Sequence, residues 1–273
     1  MQLGTIRHAG ATRAVRVEDD ELVMLDAPDV RSLLASGADA TVDGERHPTA
    51  GADWAPLVPN PDKIICVGLN YRDHILEMGR ELPSHPTCFA KFSGALIGAN
   101  DDIHLPPADV STSVDWEVEL CIVVGSGGRN IPIADALDHV AGYTVLNDIS
   151  VRDWQRRTIQ FLAGKTFEHT TPVGPTMTTV DVLGDAAGLE VETLVDGVSK
   201  QRSTTDQLVF GVRDLIADLS TIITLQPGDL IATGTPGGVG AARTPPEFLQ
   251  PGQEVVTRIE GIGELRNRCV RPV

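Results

Sequence analysis

The chain has 273 residues, 41% of them hydrophobic, and a formal net charge of −16 at pH 7. That size and apolar content allow one large core, or a medium domain beside a small one. The charge argues against nucleic-acid and acidic-membrane partners, and no apolar run approaches the ~20 residues that span a bilayer.

Residues 2–26 read as short alternating strands, broken at His8-Ala9-Gly10 and at Glu18-Asp19-Asp20, and Asp29 to Ser36 reads as a short helix. Met1 to His8 lacks the hydrophobic stretch of a secretory signal. Cys66, Cys88, Cys121 and Cys269 are scattered without a C-x-x-C pair, so a reduced, cytoplasmic setting is expected. Cys66 and Cys121 fall in apolar runs and are expected to act as small hydrophobes. Thr49 to Asp62 is rich in Pro, Gly and Ala and reads as a linker. A boundary near residue 60 follows, with a small N-terminal β-rich domain over 1–60 and one β-rich domain over 61–273.

Lys63 to Gly68 reads as a strand, and Asn70 to Gly79 as one or two helical turns followed by a loop with Pro83 and Pro86. His74 and Glu77 stand at i, i+3 and would share a helix face. Such a pair is commonly just a surface contact. A carboxylate beside an imidazole can also orient it as a general base.

The most informative run is Asp115 to Val124. Its apolar half, Leu120 to Val124, reads as a buried strand. Glu117 and Glu119 point the same way along it, with Cα atoms roughly 6.6 Å apart. Two bare carboxylates at that spacing repel by about 2.5 kcal/mol at an effective dielectric of 20, so something cationic is expected between them. A second apolar strand, Ala141 to Leu146, exits at Asp148. Ser150-Val151-Arg152-Asp153 has the form of a capping box, which predicts a helix start. Three carboxylates without nearby Cys or His form an all-oxygen set, suited to Mg²⁺, Mn²⁺ or Ca²⁺ rather than zinc. A lone Glu-x-Glu is also compatible with a salt-bridged strand edge.

Lys165 lies between apolar residues and Pro172-Val173-Gly174-Pro175; it is either an ordinary exposed lysine or a stabiliser of an oxyanion or enolate. Residues 189–198 alternate like a strand. Val212, Leu215, Ile216, Leu219, Ile222 and Ile223 mark an apolar helix face that Gln226-Pro227-Gly228 stops. Asp229 to Thr233 is a strand that enters a glycine loop at 234–240. That loop lacks the ending of a P-loop, so its glycines turn the chain or let backbone approach a ligand. Residues 254–260 close the domain as a strand.

Together these segments resemble the fumarylacetoacetate hydrolase family over roughly residues 60–270. The resemblance rests on Val67-Gly68-Leu69-Asn70-Tyr71-Arg72-Asp73-His74, on Trp116-Glu117-Val118-Glu119-Leu120, and on Gly142 to Gln155. Gly164-Lys165-Thr166-Phe167 and Gly228 to Pro236 continue it in order. It implies a mostly β (α+β) fold, a mixed β-roll or β-sandwich catalytic domain that is usually dimeric. It implies Glu117, Glu119 and Asp148 as ligands of Mg²⁺ or Mn²⁺, Lys165 as oxyanion stabiliser, and His74 with Glu77 as the water-activating pair on a lid. Gln155 and Thr235 match substrate-contacting positions, the Gly234 turn adjoins them, and Arg152 stands in the helix after the metal aspartate; Arg72 could offset the global charge around an anionic substrate. Phe92 stands where family members often have Pro, and Glu168 where Asp is common; both are expected near the pocket wall.

The expected function is therefore metal-dependent hydrolysis of a C–C bond in an acylpyruvate such as fumarylpyruvate or acetylpyruvate, a small anionic 2-oxo acid, by a homodimer in aromatic catabolism. Decarboxylation of an oxaloacetate-type β-keto acid, and isomerisation or hydration of a 2-hydroxy-dienoate, share the same enolate chemistry and stand as alternatives. A non-catalytic metal-binding module is the rival outside enzymology.

Overall fold

Strand Val118–Val124 is buried along its whole length. It pairs antiparallel with Val140–Asn147 on one edge and with Leu230–Ala232 on the other. A strand flanked on both edges and covered on both faces has no polar side, which is why its sequence runs apolar instead of alternating. The computed structural model describes residues 1–42, 44–77, 79 and 81–271, without the side chains of His74 and Glu77. It places this strand in an 11-stranded mixed sheet. From edge to edge the sheet runs Arg46–Pro48, Glu21–Met24, Ala11–Glu18, Gln2–His8, Thr171–Thr179, Val140–Asn147, Val118–Val124, Leu230–Ala232, Ile64–Gly68 and Thr87–Lys91, with Leu96–Ile97 pairing Thr171–Thr179 off this path.

A second sheet of five strands is ordered Val198–Thr204, Glu190–Val195, Glu254–Ile259, Gly263–Val270 and Ile103–His104. Leu120 and Ile122 of the large sheet share one core cluster with Val191, Ile259 and Leu265 of the second. On its other face, Cys121 and Val123 pack with Leu33, Val58 and Cys66. The two cysteines thus serve as small buried hydrophobes, as expected. Among the described residues no helix is long and apolar enough to cross a membrane.

The three N-terminal strands form as the alternation predicts, and helix Val30–Ser36 starts where Asp29 accepts a hydrogen bond from Ser32 N–H. Gln2–His8 then pairs with Thr171–Thr179, so the first strands extend the large sheet across residue 60. The division at residue 60 therefore stands as a proposal about folding units within one shared sheet. Helix Val212–Ile222 buries Val212, Leu215, Ile216 and Leu219, but Ile222, its last residue, and Ile223, just past its end, are exposed.

Two strands were not legible. Thr171–Thr179 contains Pro172, Gly174 and Pro175, which obscure a strand pattern because proline cannot donate to a ladder. The structure absorbs them in an irregularity: Tyr143 faces Thr178 and Val145 faces Gly174, so Pro175 sits where the register shifts. Residues 254–260 do form a strand, but Gly263–Val270 follows it and completes the sheet. Its inward face carries Asn267 between Leu265 and Cys269, which breaks the apolar pattern; Asn267 Nδ2 donates to the carbonyl of Asp101 at 2.8 Å.

Candidate metal centre and its cavity

The run around the two glutamates is not one strand. Val114–Asp115 pairs with Ser150–Val151 in a separate two-stranded ribbon, and the ladder resumes at Val118. Glu117 lies in the break, where its N–H donates to Asn147 Oδ1 at 2.9 Å and its carbonyl accepts from Asp148 N–H at 2.9 Å. Asn147 and Asp148 thereby fix Glu117 without a regular ladder. The capping box does not form either. Helix Arg152–Gln155 starts without a side-chain cap, Ser150 Oγ donates to the carbonyl of Asp148, and Asp153 accepts from Ser111 Oγ. Ser150 is held in the short ribbon strand, so it cannot take the N-cap position.

Ligand oxygens of Glu117, Glu119 and Asp148 all lie within 4.8 Å of one another, and all three residues are buried. An octahedral ion with bonds of about 2.1 Å separates its ligands by about 3.0–4.2 Å, so the triad fits one hard divalent ion. Cations already surround it. Lys165 Nζ lies 2.6 Å from both Glu117 Oε2 and Asp148 Oδ2. Lys91 Nζ lies 2.5 Å from Asp148 Oδ1, and Arg152 Nη2 lies 2.6 Å from Glu117 Oε1. Asp115 holds Arg152 Nε at 2.7 Å and accepts from the N–H groups of Gly240 and Ala241.

Four buried carboxylates thus meet three buried cations. The one left without a cation is Glu119, whose hydrogen bond comes from Gly234 N–H at 2.8 Å. Burial, reinforced by Asp148 and Glu117, holds its carboxyl well above the ordinary range. Asp148 goes the other way: burial pushes it up, but Lys165 and Lys91 outweigh burial and hold it below its ordinary value. Burial would lower the Lys165 ammonium, yet Asp148 and Glu117 keep its pKa above that of a free lysine. Lys165 is therefore a hydrogen-bond donor and a fixed positive charge at neutral pH, not a base.

A consequence concerns protons. An ion held by Glu119 needs the carboxylate, so Mn²⁺ binding should release protons at mildly acidic pH, and affinity should rise with pH above 4.5. Calorimetric titrations in buffers of different ionisation enthalpy check this; a binding heat independent of buffer would contradict it.

A cavity of about 560 Å³ opens over the triad. Glu117, Glu119, Arg152, Gln155, Lys165 and Thr235 line it, as do Phe89, Phe161, Arg156 and Thr158. Six of the site residues expected from sequence therefore share one wall system. Asp148 lies beneath, covered by Lys165. Gly234 is behind the wall at φ 102°, and a Cβ there would come within 2.9 Å of the Val67 carbonyl, so the turn requires glycine. Arg72 is exposed at the head of helix Arg72–Glu77 and is not part of the cavity lining. The side chains of His74 and Glu77, on the same helix, lie outside the described residues. Phe92 and Glu168 are exposed and are not among the lining residues, contrary to the expectation for the pocket wall.

Sequence reasoning missed three supporting residues. Asp115 is the first of an Asp-x-Glu-x-Glu series and was legible by the same period-two argument. Lys91 carried no local signal beyond its apolar strand. Gln201 lies in a strand whose neighbours are polar, yet it is buried, accepts from Val118 N–H and Thr193 Oγ1, and donates to Thr235 Oγ1 at 2.8 Å.

Residues 63–270 match the family model described as the fumarylacetoacetate (FAA) hydrolase C-terminal region. The chain is 47% identical over 224 residues to a mitochondrial oxaloacetate tautomerase of Rattus norvegicus, covering 82% of this chain and 71% of that protein. It is 43% identical over 214 residues to an oxaloacetate tautomerase of Bacillus subtilis, covering 77% and 71%. Among solved structures it is similar to the fumarylacetoacetate hydrolase of Exiguobacterium antarcticum, 33% identical with a TM-score of 0.91 over the whole of both chains. It is also similar to the fumarylpyruvate hydrolase of Pseudomonas aeruginosa solved with Mn²⁺ and pyruvate, 32% identical with a TM-score of 0.69 over 78% of this chain and 91% of that one. The acidic triad, the mostly β fold and a match spanning three quarters of the chain agree: this protein belongs to the fumarylacetoacetate hydrolase family of enzymes.

Proposed function

We propose that the chain is a divalent-metal-dependent enzyme that interconverts the keto and enol forms of an oxaloacetate-type 2-oxo acid. The observation that carries this reading is Lys165: a buried, permanently charged ammonium on the cavity wall, fixed 2.6 Å from two carboxylates of the acidic triad. Glu117, Glu119 and Asp148 would hold Mg²⁺ or Mn²⁺, which when bound supplies Lewis-acid polarisation of the substrate carbonyl. Lys165 offers an N–H to the C2 oxygen as negative charge gathers there. Thr235 Oγ1 accepts from Gln201, which leaves its own O–H free to donate to a substrate carboxylate. Gln155 Oε1 accepts from Arg152 Nη1 at 3.0 Å, which leaves its amide N–H₂ free to serve as a second neutral donor. The proton leaving C3 would go to His74, oriented by Glu77, and a proton would reach the C2 oxygen from solvent, while Lys165 keeps its charge and only donates a hydrogen bond. The net change is isomerisation, with no water consumed.

Two relatives of 43% and 47% identity named as oxaloacetate tautomerases favour this reading over the acylpyruvate hydrolysis first expected from the sequence. Hydrolysis is the second reading, favoured by the fumarylpyruvate hydrolase likeness; it would use the His74–Glu77 pair to activate water instead. Homodimeric assembly and a cytoplasmic location are further proposals, and the rat relative is by name mitochondrial.

The test is a panel with Mn²⁺ and with Mg²⁺: keto–enol equilibration of oxaloacetate followed by enol absorbance, its decarboxylation, and cleavage of acetylpyruvate and fumarylpyruvate. Equilibration should be the fastest reaction by at least about tenfold in kcat/KM, a difference of about 1.4 kcal/mol in transition-state stabilisation. Cleavage of an acylpyruvate faster than equilibration would return the hydrolytic reading to first place.

A further inference from the structure

Strand Val198–Thr204 forms the edge of the five-stranded sheet, and Gln201 is its one buried residue. The pairing with the neighbouring strand shows why. Thr193 faces Gln201 while Leu194 faces Ser199, which leaves Lys200 as an extra residue on the edge strand. A bulge of this kind bends its strand and re-aims a side chain; here Gln201 reaches inward to the metal strand. Gly238, in the glycine loop, makes room from the other side. At φ 96° it passes so close that a Cβ would collide with the Lys200 carbonyl. Trp116 Nε1 donates to the Gly238 carbonyl at 3.3 Å, and Arg243 Nη2 to the Lys200 carbonyl at 2.8 Å, so loop and bulge are each held in place.

Every hydrogen-bonding position of the Gln201 amide is used. Oε1 accepts from Val118 N–H at 3.0 Å and from Thr193 Oγ1 at 2.9 Å. Nε2 donates to the Pro236 carbonyl at 3.0 Å and to Thr235 Oγ1 at 2.8 Å. A backbone donor at one end and a backbone acceptor at the other allow the amide one orientation only. The Thr235 hydroxyl therefore receives a hydrogen from Gln201 and cannot return its own. No acceptor among the described residues takes the Thr235 O–H, and that side chain lines the cavity. Val118 stands between Glu117 and Glu119, so the same amide also grips the metal strand. We infer that Gln201, which is not part of the cavity lining, is a positioning residue: it turns the Thr235 O–H into the ligand space and fixes it relative to the metal ligands. The inference rests on the metal and 2-oxo acid reading above and adds to it a residue that acts on the ligand through Thr235. Satisfying the Val118 N–H alone would need an acceptor and no donor.

The experiment is calorimetric binding of oxalate, which presents the carboxylate and adjoining oxygen of a 2-oxo acid, to Mn²⁺-loaded protein. Thr235→Val should weaken binding about ten- to a hundredfold, the range of one hydrogen bond to a charged group, and Thr235→Ser should keep most of the affinity. Gln201→Glu keeps the acceptor for Val118 N–H and replaces the donor end by an acceptor that draws the Thr235 O–H out of the cavity. It should weaken oxalate about tenfold beyond any loss it causes in the Thr235→Val background, where only its added charge can act. Mn²⁺ binding without oxalate should not weaken in any of these variants. The side-chain amide of Gln201 reads the same contact without a change at 201, and it decides the matter if Gln201→Glu does not fold. Oxalate should shift its nitrogen and proton resonances in wild-type protein and not in Thr235→Val. Equal losses from Gln201→Glu in both backgrounds, a fall in Mn²⁺ affinity that accounts for the oxalate loss, full oxalate affinity in Thr235→Val, or Gln201 resonances indifferent to oxalate overturns the inference while leaving the 2-oxo acid site standing. Failure of oxalate to bind wild-type protein that does bind Mn²⁺ overturns the 2-oxo acid reading and the inference with it.

Discussion

Lys165→Met should lower kcat for oxaloacetate equilibration by about 10²–10³-fold, the usual loss for removing one preorganised donor from a developing oxyanion. Affinity for Mn²⁺ should stay the same or tighten, because Lys165 shares Glu117 and Asp148 with the ion. Methionine keeps most of the side-chain volume, so the cavity wall is retained while the charge is lost. Lys165→Arg should recover little: a compact ammonium 2.6 Å from two carboxylates leaves no room for a planar fork. Initial rates and a calorimetric Mn²⁺ titration on the same preparations separate the two effects. Native turnover in Lys165→Met would reduce this lysine to a counter-ion.

Asp148→Asn should destabilise the metal-free protein by about 3–5 kcal/mol, the cost of breaking a buried ion pair from one side. Asp148 holds Lys91 at 2.5 Å and Lys165 at 2.6 Å, and none of these side chains is more than 2% exposed. The amide would retain one acceptor oxygen for the two lysines and turn its N–H₂ toward the other ammonium, so one buried lysine loses its partner at position 148 outright. The pH dependence follows from the two opposed shifts. Asp148 has its folded pKa depressed, so its contribution is present above the ordinary value of 3.8 and is lost as pH falls through the lower folded value. Glu119 has its folded pKa raised, so ionising it in the chelated protein costs stability progressively as pH rises above 4.5. Denaturant unfolding in chelator should therefore show a stability that declines from mildly acidic to neutral pH, and the decline should vanish in Glu119→Gln. An unchanged midpoint for Asp148→Asn would contradict the pairing.

The metal triad was legible because its signal is local. Glu117 and Glu119 stand two apart beside an apolar run, and Asp148 stands at the exit of the next apolar strand; the pairing of Val118–Val124 with Val140–Asn147 then brings all three together. Of the supporting residues, Lys165 and Arg152 were named from the sequence, but Lys91 and Gln201 were not legible. They come from strands 57 and 53 residues away from Asp148, and only the sheet pairing shows that they point inward. The prolines of Thr171–Thr179 hid a central strand, because a rule about ladder donors is blind to a register shift that removes the need for a donor. The order of first strands, the apolar face of helix Val212–Ile222 and the glycine at 234 were each dictated by a single periodicity or a single backbone angle, and the structure realises them.

The central claim is that an ion held by Glu117, Glu119 and Asp148 makes this cavity an enolising site. Its most direct test is the rate at which wild-type protein equilibrates enol and keto oxaloacetate before chelation, after chelation, and after return of Mn²⁺, with Glu119→Gln carried through the same cycle. The account predicts that chelation abolishes the reaction in wild-type protein, that Mn²⁺ restores it, and that Glu119→Gln stays inactive at Mn²⁺ concentrations that saturate wild-type protein. Full activity in the chelated wild-type protein, or in Glu119→Gln, would contradict it.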